Sequence, residues 1–165
     1  MTALNLPPGV VAHGVLAGAE WISVPREQIR TTLANLKSQG FESYVFMTCV
    51  DHLATPEVEK PPERFELVYQ LRNMRSHQEL RVRVFVPEGD PRAPSAHDIY
   101  SPANWDERET WDMFGIRFEG HPDLTRILMP DDWLGHPLRR DFPVGGEPVD
   151  FSEDHEVWQT APPEA

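Results

Sequence analysis

From Arg64 to Asn73 every second residue is apolar (Phe65, Leu67, Tyr69, Leu71), and Leu80, Val82, Val84 and Val86 repeat that spacing from Glu79 to Val86. A period of two sends alternate side chains to opposite faces of a strand. Both segments are therefore predicted strands, joined by Met74 to Gln78 as a hairpin. Strict alternation implies one dry and one wetter face, as in an antiparallel sheet covered by helices on one side. Phe41 to Asp51 is a third predicted strand, because Tyr44, Val45, Phe46, Thr48 and Val50 crowd β-branched and aromatic residues into a short run. The period lengthens between Arg26 and Gln39, where Ile29, Leu33 and Leu36 follow helical spacing after Pro25 and stop at Gly40.

A second helix is predicted from Pro102 to Phe114, with Ser101 as N-cap and Gly115 as terminator. Weaker patterns give a short strand near Val10 to Val15 ending at Ala17-Gly18, a charged loop from Thr55 to Pro62, and a short helix from Ser95 to Tyr100 after the sheet ends in Pro87 to Pro94. Seven of the 17 prolines lie at or after Pro122, so about the last 40 residues are predicted to form an extended arm. The expected fold is α+β: a two-layer domain with a mixed, largely antiparallel sheet, helices on one face and a Pro-rich C-terminal arm. Residues 1–145 form one such domain, with the arm starting at about 120, and residues 146–165 form an acidic tail.

The Pro102 to Phe114 helix carries the chemistry. At 100° per residue Ala103, Glu107, Trp111 and Phe114 share one apolar stripe with a carboxylate in its middle. A buried carboxylate must be paired, hydrogen-bonded or protonated, so an arginine, hydroxyl or backbone N–H is expected at Glu107, unless it reaches solvent at the stripe's edge. The opposite face holds Trp105, Arg108, Glu109 and Asp112, with Arg108 and Asp112 spaced to pair. A large aromatic among charges reads as an interface anchor or as a ring covered by the chain's own arm. In the arm, His136-Pro-Leu-Arg-Arg-Asp-Phe-Pro143 combines stiff geometry with Arg139 and Arg140, which suit bidentate bonds to carboxylates and are candidate partners for Glu107 or Asp112. Such a segment can wrap a neighbour or lie pinned on its own domain.

Composition narrows the chemistry. One cysteine, Cys49, cannot form an internal disulfide, hold an iron–sulfur cluster or supply a thiolate-rich zinc site; inside an apolar strand it reads as a core residue. A net charge of −12 disfavours autonomous binding to nucleic acid or anionic lipid. That excess is uneven, since seven acids and no Lys or Arg follow Arg140. No apolar run approaches the roughly 18 residues needed to cross a bilayer, and Met1 to Val15 lacks the basic and apolar regions of a signal peptide. The chain reads as cytosolic. The seven histidines are scattered, and no His-Glu-x-x-His arrangement points to a metal. Asp51-His52, at a strand end, could orient a base but reads as a loop pair.

The run from Asn104 to Trp133 joins Glu107-Arg108-Glu109, two residues, Asp112-Met113-Phe114, six residues, His121 and then Ile127-Leu128, and is followed by Gly135 to Pro143. It resembles the C-type subunit of NADH-quinone oxidoreductase, respiratory complex I, over residues 20 to 145. One departure is Thr125, where the family pattern has a basic residue or proline. The resemblance implies a structural and assembly subunit of the hydrophilic arm, peripheral on the cytoplasmic face of the cell membrane, docked on the D-type subunit with the B-type and I-type subunits nearby. It implies no catalytic centre, metal or cofactor in this chain, with FMN, iron–sulfur clusters and quinone held by partner subunits during proton-translocating electron transfer from NADH. The signature and interface residues it points to are Trp105, Glu107, Arg108, Glu109, Asp112, Phe114, Arg117, His121, Arg139 and Arg140. Two alternatives stand beside it: the equivalent subunit of a membrane-bound hydrogenase or formate hydrogenlyase complex, and a stand-alone hydrolase in which Glu107, His121 and His136 converge.

Overall fold

A computed structural model describes residues 5–16, 18–56, 58 and 61–143. The strands are β1 (Ala12–Leu16), β2 (Ala19–Ser23), β3 (Ser43–Asp51), β4 (Phe65–Asn73), β5 (Gln78–Val86), β6 (Arg92–Pro94) and β7 (Arg117–Glu119), and the helices are α1 (Ile29–Ser38) and α2 (Ala103–Phe114). The main sheet has the order β1-β2-β5-β4-β3. Its neighbours are antiparallel except β2 and β5, which run parallel, so the α+β class and the mixed sheet are as expected.

The alternating residues do what their period dictates. Met47, Tyr69, Val82 and Ile22 sit opposite one another across four strands, as do Cys49, Leu67 and Val84 across three. All seven are buried in one core with Ile29, Leu33 and Leu36 of α1 and Ala103, Met113 and Phe114 of α2. Both helices therefore cover one face of the sheet. The other face is polar but not simply wet: Glu66 and Gln70 are buried beneath Arg83 and Arg81 of the neighbouring strand.

Glycines end both helices. Gly40 and Gly115 have φ of 97° and 75°, the left-handed conformation that stops a helix at little cost. At Gly115 an added Cβ would also lie 2.5 Å from the His136 ring, so the arm closes over this position.

Four local expectations change. Strand β2 and the small parallel pair β6–β7 have no clear periodicity in the sequence. Ser95 to Tyr100 is a turn, because the Ser95 N–H donates to Glu119 and the Ala96 N–H to Glu107. Helix α2 begins at Ala103 without a side-chain cap; the Tyr100 and Ser101 carbonyls accept its first N–H groups, leaving Ser101 no capping role. Residues 120–143 contain no helix or strand, but they are folded back against α2 rather than free of the domain. The acidic tail lies outside the described residues.

Leu36 is wholly buried at the centre of the α1 contact. Leu36→Ala is expected to lower the unfolding free energy by about 2–5 kcal/mol, read as a reduced urea midpoint with an unchanged slope.

Candidate functional site

Helix α2 turns two of its three signature carboxylates, Glu107 and Asp112, inward. Glu107 is fully buried, accepting the Ser95 hydroxyl and, at 2.6 Å, the Ala96 N–H. Among the described residues no arginine bonds to it, and it does not reach solvent. The His121 Nε2 lies 4.0 Å away, within 3.1 Å of the Asn104 carbonyl, while His121 Nδ1 accepts the Asp123 N–H. Those two partners fix the neutral Nε2–H form of the ring. Burial lowers the His121 pKa in the same direction. Burial also pushes the Glu107 carboxyl up to about 7, outweighing its bonds from Ser95 and Ala96.

Asp112 shares its side of the helix with Arg108, as expected, but its charged partner is Arg126. It is completely buried, because the arm covers that side of the helix. Its Oδ2 accepts the backbone N–H groups of Ile127, Leu128 and Met129 at 3.0, 2.8 and 3.0 Å, and its Oδ1 is paired with Arg126. Burial alone would raise this carboxyl, but three N–H donors and a guanidinium hold it below the usual carboxylate range. Arg126 also donates to the Trp133 and Gly135 carbonyls, tying the two halves of the arm together. Arg108 reaches the Thr125 carbonyl and hydroxyl at 3.1 and 3.0 Å, so the unusual Thr125 has a defined partner.

The arm also completes the end of α2. A helix leaves its last four carbonyls without internal partners. Here Gly115 N–H takes the Trp111 carbonyl, His136 Nδ1 the Asp112 carbonyl, Leu138 N–H the Met113 carbonyl and Arg139 Nε the Phe114 carbonyl. Arg139 lies over the Phe65 ring as well, at 5.2 Å. Arg139 and Arg140 are thus not the partners of Glu107 or Asp112; Arg126 fills that role for Asp112.

A second latch, not anticipated from the sequence, fastens the arm's far end. Arg64 forks onto Asp51 at 3.0 and 2.8 Å and reaches Asp141 at 2.6 Å, with Glu88 alongside. Asp51 accepts the Arg140 and Leu53 N–H groups too. Burial opposes ionisation of Asp51, yet Arg64 and the two N–H groups hold its pKa down to about 2. Asp51-His52 is therefore no loop pair: His52 separately binds Glu66 at 2.7 Å. Arg64 and Asp51 are thirteen residues apart across a loop, and no local pattern marks their pairing.

The signature residues accordingly divide. Glu107, Asp112, Phe114 and the His121 ring are internal, and Arg108 and Arg139 are half-buried against the arm. Trp105, Glu109, Arg117 and Arg140 are exposed. Trp105 is 59% exposed, with the Arg108 guanidinium 5.2 Å from its ring; the described part of the arm does not cover it. The hydrolase cluster does not form, since His136 binds at the last turn of α2 on the Asp112 carbonyl. Among the described residues no group of three His, Cys, Asp or Glu is placed to hold a metal ion.

Residues 22–148 match the family described as respiratory-chain NADH dehydrogenase, 30 Kd subunit. The chain belongs to this family. It is 43% identical over 141 residues to NADH-quinone oxidoreductase subunit 5 of Thermus thermophilus, covering 82% of this chain and 67% of that protein. With the C-type subunit of the same enzyme from Acidothermus cellulolyticus it shares 54% over 147 residues, 89% of this chain and 76% of the relative. Among solved structures, a trypsin-resistant fragment (1–134) of Nqo5 superposes with a TM-score of 0.64 at 39% identity, over 68% of this chain and 89% of the fragment. A chain of the membrane-bound sulfane sulfur reductase, an archaeal respiratory membrane complex, gives 0.69 at 29% identity, over 82% and 78%. The family is a subunit of a multi-subunit oxidoreductase, and among the described residues no helix is long and apolar enough to cross a membrane.

Two outcomes follow from the buried carboxylates. The folded Glu107 carboxyl sits at about 7, above its ordinary 4.5, so its contribution to stability is full below about pH 4.5 and is lost as pH rises through 7. Relative to Glu107→Gln, the native chain is expected to lose about 2–3 kcal/mol between pH 5 and pH 8 in urea titrations. Asp112→Ala strands three N–H groups and Arg126 and is expected to cost about 3–5 kcal/mol. Limited proteolysis of that variant should cut first within residues 120–143.

Proposed function

We propose that this chain is a non-redox assembly subunit of the hydrophilic arm of a proton-translocating NADH-quinone oxidoreductase, docked on the D-type subunit, with the B-type and I-type subunits as further neighbours. FMN, iron–sulfur clusters and the quinone site belong to partner subunits in this reading, and the chain is peripheral, on the cytoplasmic face of the membrane. The observation that carries it is the division of the signature. Buried acids of α2 and β3 bind the arm into one rigid surface, while the exposed residues of the same signature leave Trp105, Glu109 and Arg117 facing outward. A large aromatic held by a stacked guanidinium and left uncovered by the described residues of its own chain suits the anchor of a subunit contact. Its role in electron transfer is then geometric: it holds neighbouring subunits in the arrangement that electron and quinone paths need.

A second reading is favoured by the likeness to the archaeal sulfane sulfur reductase chain. In it the same domain serves a related membrane-bound complex, such as a hydrogenase or formate hydrogenlyase. Partners recovered with the untagged native complex separate the two.

Trp105→Ala is expected to change the stability of the purified chain by no more than about 0.5 kcal/mol, because the side chain is exposed. Its removal should weaken the subunit contact by about 2 kcal/mol or more, seen as loss of the D-type subunit from the complex on native gels. Full assembly accompanied by lost NADH–quinone turnover would count against a scaffolding role.

A further inference from the structure

The main sheet protects its two edges unequally. At β3 the edge is bulged between Tyr44 and Phe46, and the Met47 N–H donates to the Asp106 carboxylate of α2 at 2.7 Å, with Tyr44 Oη on the same carboxylate. Helix α2 closes that side. At β1 no such cover is present among the described residues. It pairs with β2 alone, and Val11, Val15 and Leu16 are 69%, 69% and 60% exposed. A strand paired on one side leaves alternate N–H and C=O groups of its other side without strand partners. Edge strands are usually blunted by Lys, Pro, a bulge or an inward charge. Ala12–Leu16 has none of these: its register with β2 is unbroken over five pairs, and the first nineteen residues contain no Asp, Glu, Lys or Arg.

This open edge is nonetheless held in place. Gly14 lies opposite Trp21, whose ring sits where a Cβ on Gly14 would come within 3.0 Å of it. Trp21 in turn carries the Arg83 guanidinium at 5.0 Å, from the strand beyond β2. The aromatic covers the glycine and fixes the register, so the free edge is presented in one preformed arrangement.

We propose that β1 is a strand-addition site: an extended, uncharged, apolar segment of another subunit pairs along its open edge and continues the sheet. The class of occupant follows from the chemistry of the edge itself. A row of backbone donors and acceptors is matched by another strand. Val11 and Val15 flank the exposed His13 on one face and Leu16 lies on the other, so an incoming strand meets mainly apolar neighbours on both faces. A second copy of this chain is disfavoured as occupant, because two chains of net charge −12 repel. The site is at the opposite edge of the sheet from the α2 contacts and does not rest on which subunit Trp105 meets.

The test is residue-resolved hydrogen exchange on the full chain, alone and in the purified native complex. In the free chain, the residue 11–16 amides not bonded to β2 should exchange fast; in the complex they should slow at least tenfold. Equal rates in the two states would overturn the proposal. Protection that appears in the free chain as its concentration rises would assign the edge to a second copy and overturn it as well. Val15→Lys, at an exposed position, should leave the melting temperature of the free chain within about 2 °C and reduce its recovery in the complex several-fold. Wild-type recovery of that variant, with the residue 11–16 amides still slowed in the complex, would also reject strand addition as the cause of the protection.

Discussion

The structure depends on one desolvated carboxylate. Asp112 lies in the last turn of α2 with no exposure, and it is stable there only because four donors from the arm converge on it. A buried ionised group without partners costs several kcal/mol, so helix and arm require each other. The arm has no ladder of its own to satisfy its backbone; the aspartate provides an acceptor for three consecutive N–H groups, and the arm returns donors to the last helical carbonyls. This exchange gives an irregular, proline-rich segment a fixed shape.

Glu107, little more than one turn earlier on the same helix, shows how donors rather than burial decide the outcome. Both acids are fully buried. Asp112 receives three N–H groups and a guanidinium and is held below its ordinary value, whereas Glu107 receives one N–H and one hydroxyl and is raised to about 7. Two carboxylates on one helix thus differ in charge near neutral pH. One acts as an anionic clamp and the other as a partly protonated hydrogen-bonding post for the Ser95 turn.

Much of the sheet was legible because its signal is local. Phe65 to Leu71 and Leu80 to Val86 alternate within single strands, and Gly40 and Gly115 mark helix ends by their own backbone freedom. Features made by distant pairing were not legible. Strand β2 is a five-residue segment whose partner β5 lies sixty residues on, and its AEWIS sequence shows no clean period. The helical wheel placed Asp112 correctly opposite the apolar stripe, but it could not show that residues 126–129 would turn that side into an interior. Asp51, Arg64 and Asp141 likewise come from three separate segments. The signature run points to the family, yet its spacing does not disclose that Glu107 and Asp112 both serve the chain's own folding while Trp105 is the exposed tryptophan of the helix.

Cys49 is buried on the inner face of β3, and burial pushes its thiol up to about 12. Only a trace of it exists as thiolate at neutral pH, and alkylating reagents act on the thiolate. The chain is therefore chemically silent toward maleimides as it stands. A cysteine introduced at any solvent-facing position would be its single addressable handle, which makes site-selective fluorophores or spin labels available for following this subunit as it enters its complex.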